Sequence, residues 1–166
     1  MIFVSVGTQL PFPRMMKIID EWAEKNNDSA VFAQTADDAV LKNVKSTSYL
    51  SAKEFQKYFS EADVIVSHAG MGNILTALDL GKPIVIFPRK AELNEHRNDH
   101  QVSTARKFYE HPSVFIAEDL ASFSISLTEI AALKDKDREG VKKHAASQLS
   151  QFLLGSVNDW FLKKKS

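Results

Sequence analysis

Short, continuous apolar runs recur along the chain, and each is followed by a segment with helical periodicity. The clearest runs lie at residues 1–6, 63–67 and 84–87. Unbroken runs of this length are typical of strands that are buried on both faces, as in parallel sheets. Since parallel strands need crossover connections, the alternation predicts an α/β fold, a Rossmann-like doubly wound parallel sheet with helices on both faces.

The other elements follow from the same patterns. Weaker strand signals lie at residues 30–34, 46–50 and 114–116. Ser51 and Glu54 have the spacing of a capping box, in which each side chain bonds the backbone amide of the other residue. Apolar spacing and capping residues predict helices at residues 11–25, 55–62, 71–80, 94–107, 119–133 and 139–165. We therefore expect one domain over residues 1–150 and the end of a C-terminal helix over residues 151–166.

Composition argues against several functional classes. The 166 residues carry 21 Lys and Arg against 21 Asp and Glu, so no basic field attracts nucleic acid to the surface. The chain has no cysteine, which excludes a Cys-ligated zinc site and a cysteine nucleophile. The start lacks a signal-peptide pattern, and no apolar run approaches the length of a membrane span. We therefore expect a cytoplasmic protein.

Two loops have the composition of a ligand site. Residues 7–9 (GTQ) follow the first strand, and residues 67–73 (SHAGMGN) join a predicted strand to a predicted helix. In open parallel sheets, ligands bind outside the carboxyl ends of the strands. Gly70 and Gly72 let the backbone approach a ligand, and the following helix offers free amides to an anion. Phosphate suits such a loop, although the spacing alone fits a merely tight turn as well.

Polar side chains around the second loop suit a nucleotide. His68 can donate a hydrogen bond to a phosphate oxygen, while Asn73 and Thr76 are placed to reach a sugar or ribose hydroxyl. The loop is neither a GxGxxG sequence nor a Walker sequence, and no lysine stands at the P-loop position. Nucleotide hydrolysis of the P-loop type is therefore disfavoured.

The stretch PRKAELNEHRNDHQ after residue 87 is a third concentration of polar groups. His96 and His100 are four residues apart, so on a helix they share a face as metal ligands do, and Glu95 is adjacent. Arg97 stands where the zinc-protease pattern requires a glutamate. Two interpretations stay open from the spacing alone: a His/carboxylate metallohydrolase, and a solvated helix start capped by Asn94.

Taken together, the motifs resemble one known family. VSVGTQ, VSHAGMGNILTALDLGKPIVIFP and NEHRNDHQ are similar to the donor-binding, C-terminal-type domain of GT-B glycosyltransferases of family 28. The resemblance includes stand-alone subunits of two-component glycosyltransferases of exopolysaccharide or capsule synthesis. It also includes the soluble catalytic half of the dolichol-linked N-acetylglucosaminyltransferase. It covers essentially the whole chain and implies that residues 1–150 bind a nucleotide sugar.

The resemblance implies where a UDP-sugar lies. The two glycine loops hold the diphosphate, backbone near residues 49–50 contacts uracil, and residues 100–101 face the sugar. With the polar residues above, the expected donor-binding set is Gly7, Thr8, Gln9, Tyr49, Leu50, His68, Ala69, Gly70, Met71, Gly72, Asn73, Thr76, His100 and Gln101. One position departs from the family pattern, because Thr76 replaces a glutamate that in many members bonds the ribose.

The implied reaction is an inverting transfer of a sugar from a UDP-sugar to a lipid-diphosphate-linked acceptor, with no metal and no cofactor. A complete GT-B enzyme has two such domains. We therefore expect a membrane-associated partner subunit that carries the acceptor half and holds this chain at the inner face of the plasma membrane. Glu95 and His96 are candidate acid/base residues on the acceptor side, but we expect the partner to supply the base.

The C-terminal residues are the expected docking element. Apolar side chains next to a lysine cluster suit a membrane surface or a partner near one, and the docking residues are expected to be Val157, Trp160 and Phe161. The same patch predicts self-association of the isolated chain. An alternative from a different class is a non-catalytic enhancer subunit whose partner performs the chemistry.

Overall fold

A computed structural model describes residues 1–26 and 30–133 of the chain. Its strands are β1 Ile2–Ser5, β2 Val31–Gln34, β3 Lys45–Thr47, β4 Val64–His68, β5 Ile84–Phe87 and β6 Val114–Ile116. They form one parallel sheet in the order β3-β2-β1-β4-β5-β6. The chain runs outward from β1 to β3, then crosses to β4 on the other side of β1. The winding direction reverses there, which confirms the predicted doubly wound α/β sheet.

Five α-helices connect and follow the strands in the described part of the chain. They are α1 Pro13–Lys25, α2 Ala52–Glu61, α3 Met71–Asp79, α4 His100–Lys107 and α5 Leu120–Ala132. The predicted capping box is confirmed at the start of α2. The Ser51 hydroxyl accepts a hydrogen bond from the Glu54 amide, and the Glu54 carboxylate accepts one from the Ser51 amide at 2.9 Å.

Each face of the sheet buries its own core. Alternate strand residues point to opposite faces, so Val4 and Val66 lie on one face while Phe3 and Ile65 lie on the other. The first face packs against α1 and α5, and the second packs against α2, α3 and α4. Because both faces are covered, the carboxyl edge of the sheet is left as a place where loops can form a site.

The prediction of one helix over residues 94–107 is wrong. A short 3-10 helix spans Ala91–Leu93, Asn94 adopts a left-handed φ of 55°, and α4 begins only at His100. Side chains bond the backbone in this stretch. The Asp99 carboxylate accepts a hydrogen bond from the amide of residue 91, and the Glu95 carboxylate accepts one from the amide of residue 90. These local bonds compete with helix formation, so Asn94 ends the 3-10 helix and does not cap an α-helix.

Several predictions concern residues that lie outside the described part of the chain. These are the helix at residues 139–165, the boundary near residue 150, and the docking residues Val157, Trp160 and Phe161. Within residues 1–26 and 30–133, no helix has both the length and the apolar character that a membrane span requires.

Candidate functional site

A cleft of about 640 Å³ lies over the carboxyl edge of the sheet, where the winding direction reverses. Its walls are the segments that follow β1, β3, β4 and β5, and its volume is in the range of small-molecule sites. The predicted residues that line it are Gly7, Thr8, Gln9, Leu50, His68, Gly70, Gly72, Asn73, His96 and Gln101. The structure therefore brings together most of the predicted residues, which come from four separate stretches of sequence.

Other predicted residues lie beside the cleft rather than in its lining. The Tyr49 side chain is exposed, and its hydroxyl donates to the Ala36 carbonyl. Ala69 is buried behind the loop. Thr76 Oγ1 donates to the Gly72 carbonyl at 2.8 Å and faces a separate groove between α2 and α3. The ribose contact of Thr76 stays a prediction that this placement does not favour.

Two further predicted residues begin helices at the edge of the cleft. Met71 is the first residue of α3, where its half-buried side chain packs against the second core. His100 is the first residue of α4, and its side chain is exposed. Of the histidine-glutamine pair, only Gln101 lines the cleft.

The His68 imidazole occupies space that two glycines leave open. A Cβ at position 70 would lie 2.2 Å from Cε1 of the ring, and a Cβ at Gly7 would lie 2.9 Å from Nε2. Gly7 also has a φ of +85°, which side chains disfavour. A Cβ at Gly72, in contrast, would meet no described atom within 4 Å. Gly7 and Gly70 therefore accommodate the histidine, while Gly72 keeps part of the cleft open.

The hydrogen bonds around His68 define its tautomer. The Arg89 backbone amide donates to Gln101 Oε1 at 3.2 Å, so the side-chain nitrogen of Gln101 faces His68. That nitrogen lies 3.2 Å from Nδ1 of His68. Because an amide nitrogen can only donate, Nδ1 accepts and the ring proton sits on Nε2, beside Gly7.

The charge state of His68 follows from its surroundings. Burial, and then the charge of Arg89, lower the pKa of His68 from 6.5 to about 4. The ring is therefore neutral at physiological pH. His68 offers the cleft an uncharged N–H donor rather than a positive charge or a general base.

Two buried serines join the loops on either side of His68. Ser67 Oγ donates to the Ser5 carbonyl at 3.1 Å and accepts a hydrogen bond from Asn73 Nδ2 at 2.7 Å. Ser5 Oγ accepts from the Gly7 amide at 3.1 Å. Both serines are fully buried. Asn73 therefore fixes the first turn of α3 against β4, in addition to lining the cleft.

The N-terminus of α3 opens into the cleft. Gly70 is its N-cap, and no side chain of the described residues caps the helix. The amides of the first turn, from Met71 to Asn73, have no acceptor within the helix. These amides and the positive end of the helix dipole favour an anion at this point.

The lining also contains residues that sequence reasoning missed. They are Val6, Leu10, Gln34, Ala52, Phe55 and Arg89. Arg89 is only 3 % exposed, although it is charged. Among the described atoms, Gln34 Oε1 is buried without a hydrogen-bond partner. Gln34 ends one predicted strand and Arg89 follows another by two positions, so a polar group at a strand end is the signal that could have identified both.

The two candidate acid/base residues differ in their surroundings. Glu95 lies outside the cleft lining, and its carboxylate accepts hydrogen bonds from Arg14 at 2.7 and 2.9 Å and from the Lys90 amide at 3.0 Å. Burial opposes ionisation, but these bonds and the charges of Arg14 and Arg89 keep the pKa of Glu95 below its usual value. His96 lines the cleft, with Nδ1 3.1 Å from Asn98 Oδ1. His96 is the better placed of the two, and both roles stay predictions.

The metal-site argument from helical spacing is wrong, because His96 lies in an irregular segment and His100 begins α4. In residues 1–26 and 30–133, no group of three or more His, Asp or Glu side chains is arranged to hold a metal ion.

Solved structures show which fold the chain shares. The crystal structure of the glycotransferase of kitacinnamycin matches with a TM-score of 0.66 and 19 % identity, over 88 % of this chain and 39 % of that chain. An NMR structure of ALG13 matches with a TM-score of 0.56 and 22 % identity, over 77 % of this chain and 85 % of that chain. At these identities the likeness shows the fold, which is that of GT-B glycosyltransferases.

The family is defined by sequence. Residues 1–148 match the family described as Glycosyltransferase family 28 C-terminal domain, and the chain belongs to that family. The predicted resemblance is thereby confirmed.

Two curated relatives are informative. The UDP-N-acetylglucosamine--N-acetylmuramyl-(pentapeptide) pyrophosphoryl-undecaprenol N-acetylglucosamine transferase of Geobacillus kaustophilus is 30 % identical over 122 residues, which are 71 % of this chain and 33 % of the relative. The UDP-N-acetylglucosamine transferase subunit ALG13 of Debaryomyces hansenii is 33 % identical over 48 residues, which are 29 % of this chain and 23 % of the relative. The chain thus spans about a third or less of the length of these relatives.

Proposed function

We propose that this chain binds the donor in an inverting glycosyltransferase that transfers a sugar from a UDP-sugar to a lipid-diphosphate-linked acceptor. The observation that carries the proposal is the arrangement at the reversal point of the sheet. There the Nε2–H of His68, the first-turn amides of α3 and the open space at Gly72 all meet one cleft. A diphosphate needs hydrogen-bond donors, and His68 and α3 supply them, while none of the described lining residues carries a carboxylate.

The chemical task of this site is to stabilise the UDP leaving group. As the bond from sugar to phosphate breaks, negative charge develops on the diphosphate, and fixed hydrogen-bond donors lower the energy of that state. His68 is neutral because its pKa near 4 is well below neutrality, and it donates the single ring proton that remains on Nε2. The dipole of α3 adds to the same effect. In this proposal no metal or cofactor takes part.

The base that activates the acceptor is expected on a second subunit. Among the described residues that line the cleft, none is an aspartate or a glutamate. The Glu95 carboxylate is bonded to Arg14, and His68 presents a proton rather than a lone pair. Of the lining residues that the structure describes, His96 is the remaining candidate.

The names of two relatives support the proposed acceptor and partner. One is a transferase whose acceptor is a pyrophosphoryl-undecaprenol compound, and the other is named as a transferase subunit. We extend both features to this chain and assign the acceptor half to a membrane-associated partner in exopolysaccharide or capsule synthesis. Val157, Trp160 and Phe161 are the proposed docking residues, and through them the chain is held at the cytoplasmic face of the membrane.

Thermal unfolding with a panel of nucleotides tests the donor assignment. A ligand at a hundred times its dissociation constant adds about 2.7 kcal/mol to stability. We expect UDP and UDP-sugars to stabilise the wild-type chain and to lose that effect in His68→Ala. His100→Ala is the control for UDP, since its side chain is exposed and outside the cleft lining. Equal stabilisation of wild type and His68→Ala would contradict the assignment.

A transfer assay with the partner separates catalysis from simple binding. If His68→Ala abolishes UDP binding but leaves transfer unchanged, the chain is an enhancer subunit and the catalytic part of the proposal fails. If binding and transfer fall together, the donor site serves the reaction.

A further inference from the structure

Arg89 holds the loop that follows β1. Its guanidinium donates to the Leu10 carbonyl at 2.6 Å, to the Pro11 carbonyl at 2.7 Å and to the Val6 carbonyl at 3.3 Å. The guanidinium carbon also lies 4.3 Å from the centre of the Phe12 ring. One side chain from the end of β5 therefore bonds both ends of the loop that carries Gly7, Thr8 and Gln9.

The charge of Arg89 is only indirectly compensated. The acceptors around its guanidinium are backbone carbonyls, including that of Glu95 at 3.4 Å. The Glu95 carboxylate instead pairs with Arg14, and no described carboxylate is within ion-pair distance of Arg89. A buried cation of this kind is costly unless its surroundings stabilise it, and it projects positive potential into the adjoining cleft.

The backbone of Arg89 orients the other wall of the site. Its amide donates to Gln101 Oε1, which turns the Gln101 nitrogen toward His68 Nδ1. The same residue therefore connects the β1 loop, Gln101 and the proton on Nε2 of His68. Each of these groups lines the cleft.

We propose that Arg89 is the positioning residue of the donor site, which fixes the residue 6–11 loop against His68 and makes the cleft selective for a nucleoside diphosphate over the nucleoside. This inference rests on the proposed function, since it takes the cleft as the UDP site. The guanidinium holds the loop in place through its hydrogen bonds to the loop carbonyls, and its positive charge attracts the diphosphate. Lysine can supply the positive charge, but it cannot replace the planar guanidinium that bonds several carbonyls at once.

Binding of UDP and of uridine to two variants tests both parts. Arg89→Lys keeps the charge and loses the fork, so UDP binding should weaken roughly tenfold. Arg89→Met loses both, and UDP binding should weaken roughly a hundredfold or more. Uridine binding should stay within about twofold of wild type in each variant. Arg14→Lys is the matched control. The Arg14 guanidinium donates hydrogen bonds to Glu95 and to the carbonyls of residues 88 and 118, but not to the loop after β1.

An NMR titration measures the midpoint of His68, which would not change if Arg89 only supported the fold. Arg89 and His96 are the charged and titratable groups that act on His68, and Gln101 is its hydrogen-bond partner. The midpoint for His68 should stay low in Arg89→Lys and rise in Arg89→Met. If Arg89→Met does not fold, the UDP-to-uridine comparison in Arg89→Lys still decides the loop part of the proposal.

The outcomes are distinguishable from failure of the proposed function. If wild type binds no UDP, the proposed function fails and this inference with it. If wild type binds UDP, the inference is overturned by variants that bind UDP normally, by equal loss of UDP and uridine, or by the same selective loss in Arg14→Lys.

Discussion

Alanine substitutions at Gly70 and Gly72 should have opposite effects on stability. At Gly70 the added methyl would lie 2.2 Å from His68 Cε1 and 2.8 Å from Nδ1. Carbon atoms in contact lie ~3.5–4.0 Å apart, so the ring must move by roughly 1 Å or more. Such overpacking costs about 1–3 kcal/mol of unfolding free energy.

The displaced ring should also lose its role in binding. Movement breaks the 3.2 Å contact between Gln101 and Nδ1, and it shifts the Nε2 proton away from Gly7. A hydrogen bond to a charged group contributes about 1.5–3 kcal/mol. We therefore expect Gly70→Ala to weaken UDP binding by about 10-fold to 150-fold.

Gly72→Ala is the matched comparison in the same helix. Its methyl would meet no described atom within 4 Å, and Gly72 is a residue of α3. Replacing a glycine in a helix interior by alanine stabilises by roughly 0.5–1 kcal/mol, and Gly72 lies in the first turn of α3, so the unliganded chain should gain at most this amount and unfold at a slightly higher temperature. The methyl nevertheless occupies cleft space, so UDP binding should weaken.

Urea unfolding and calorimetric titration with UDP measure both quantities. The expected pattern is lower stability with lower affinity for Gly70→Ala, and higher stability with lower affinity for Gly72→Ala. A Gly70→Ala chain that folds and binds UDP like wild type would refute the packing of His68 against this loop. Unchanged UDP affinity in Gly72→Ala would refute the assignment of that open space to the ligand.

Three further predictions concern single side chains. Because the pKa of His68 is about 4 in the folded chain and 6.5 ordinarily, the unfolded chain binds more protons between these values. The free energy of unfolding should therefore fall as pH drops from 6.5 toward 4. His68→Gln should remove this part of the pH dependence in unfolding measurements. Glu95→Gln should cost about 1–3 kcal/mol of stability through the lost Arg14 pair, with the pH profile of transfer unchanged. Glu92 is exposed, so Glu92→Gln is the control. If Glu95→Gln instead flattened the acidic or basic limb of the pH profile of transfer, Glu95 would be a catalytic acid or base. Ser51→Ala should cost about 1 kcal/mol by removing the α2 cap, whereas unchanged stability would contradict that cap's contribution.

The strands and most helices could be predicted because their signals are local. Buried strands need consecutive apolar residues, and Ser51 with Glu54 caps a helix through contacts only three residues apart. The segment before α4 could not be predicted in the same way. Its backbone is bonded by Glu95 and Asp99, and Glu95 is itself held by Arg14, which is 81 residues away.

The loops of the candidate site could be predicted from the sequence, whereas the residue that holds them in place could not. Glycines beside His68 were visible in the sequence, but the reason for them is the position of the imidazole, which only the fold shows. Arg89 was missed because its partners are distant in sequence, up to 83 residues away at Val6. Long-range contacts of this kind leave no periodicity to detect.

The donor site is tested most directly by mapping amide chemical shifts of the ¹⁵N-labelled chain during titration with UDP. UDP should shift the amides of Gly7, Thr8, Gly70, Gly72 and Gln101 far more than those around Tyr109 and Ile125, which lie beside β6. Uridine should shift mainly residues near Leu50 and Phe55. Saturable shifts confined to residues beside β6, or no shift at the glycine loops at millimolar UDP, would contradict a donor site in this cleft.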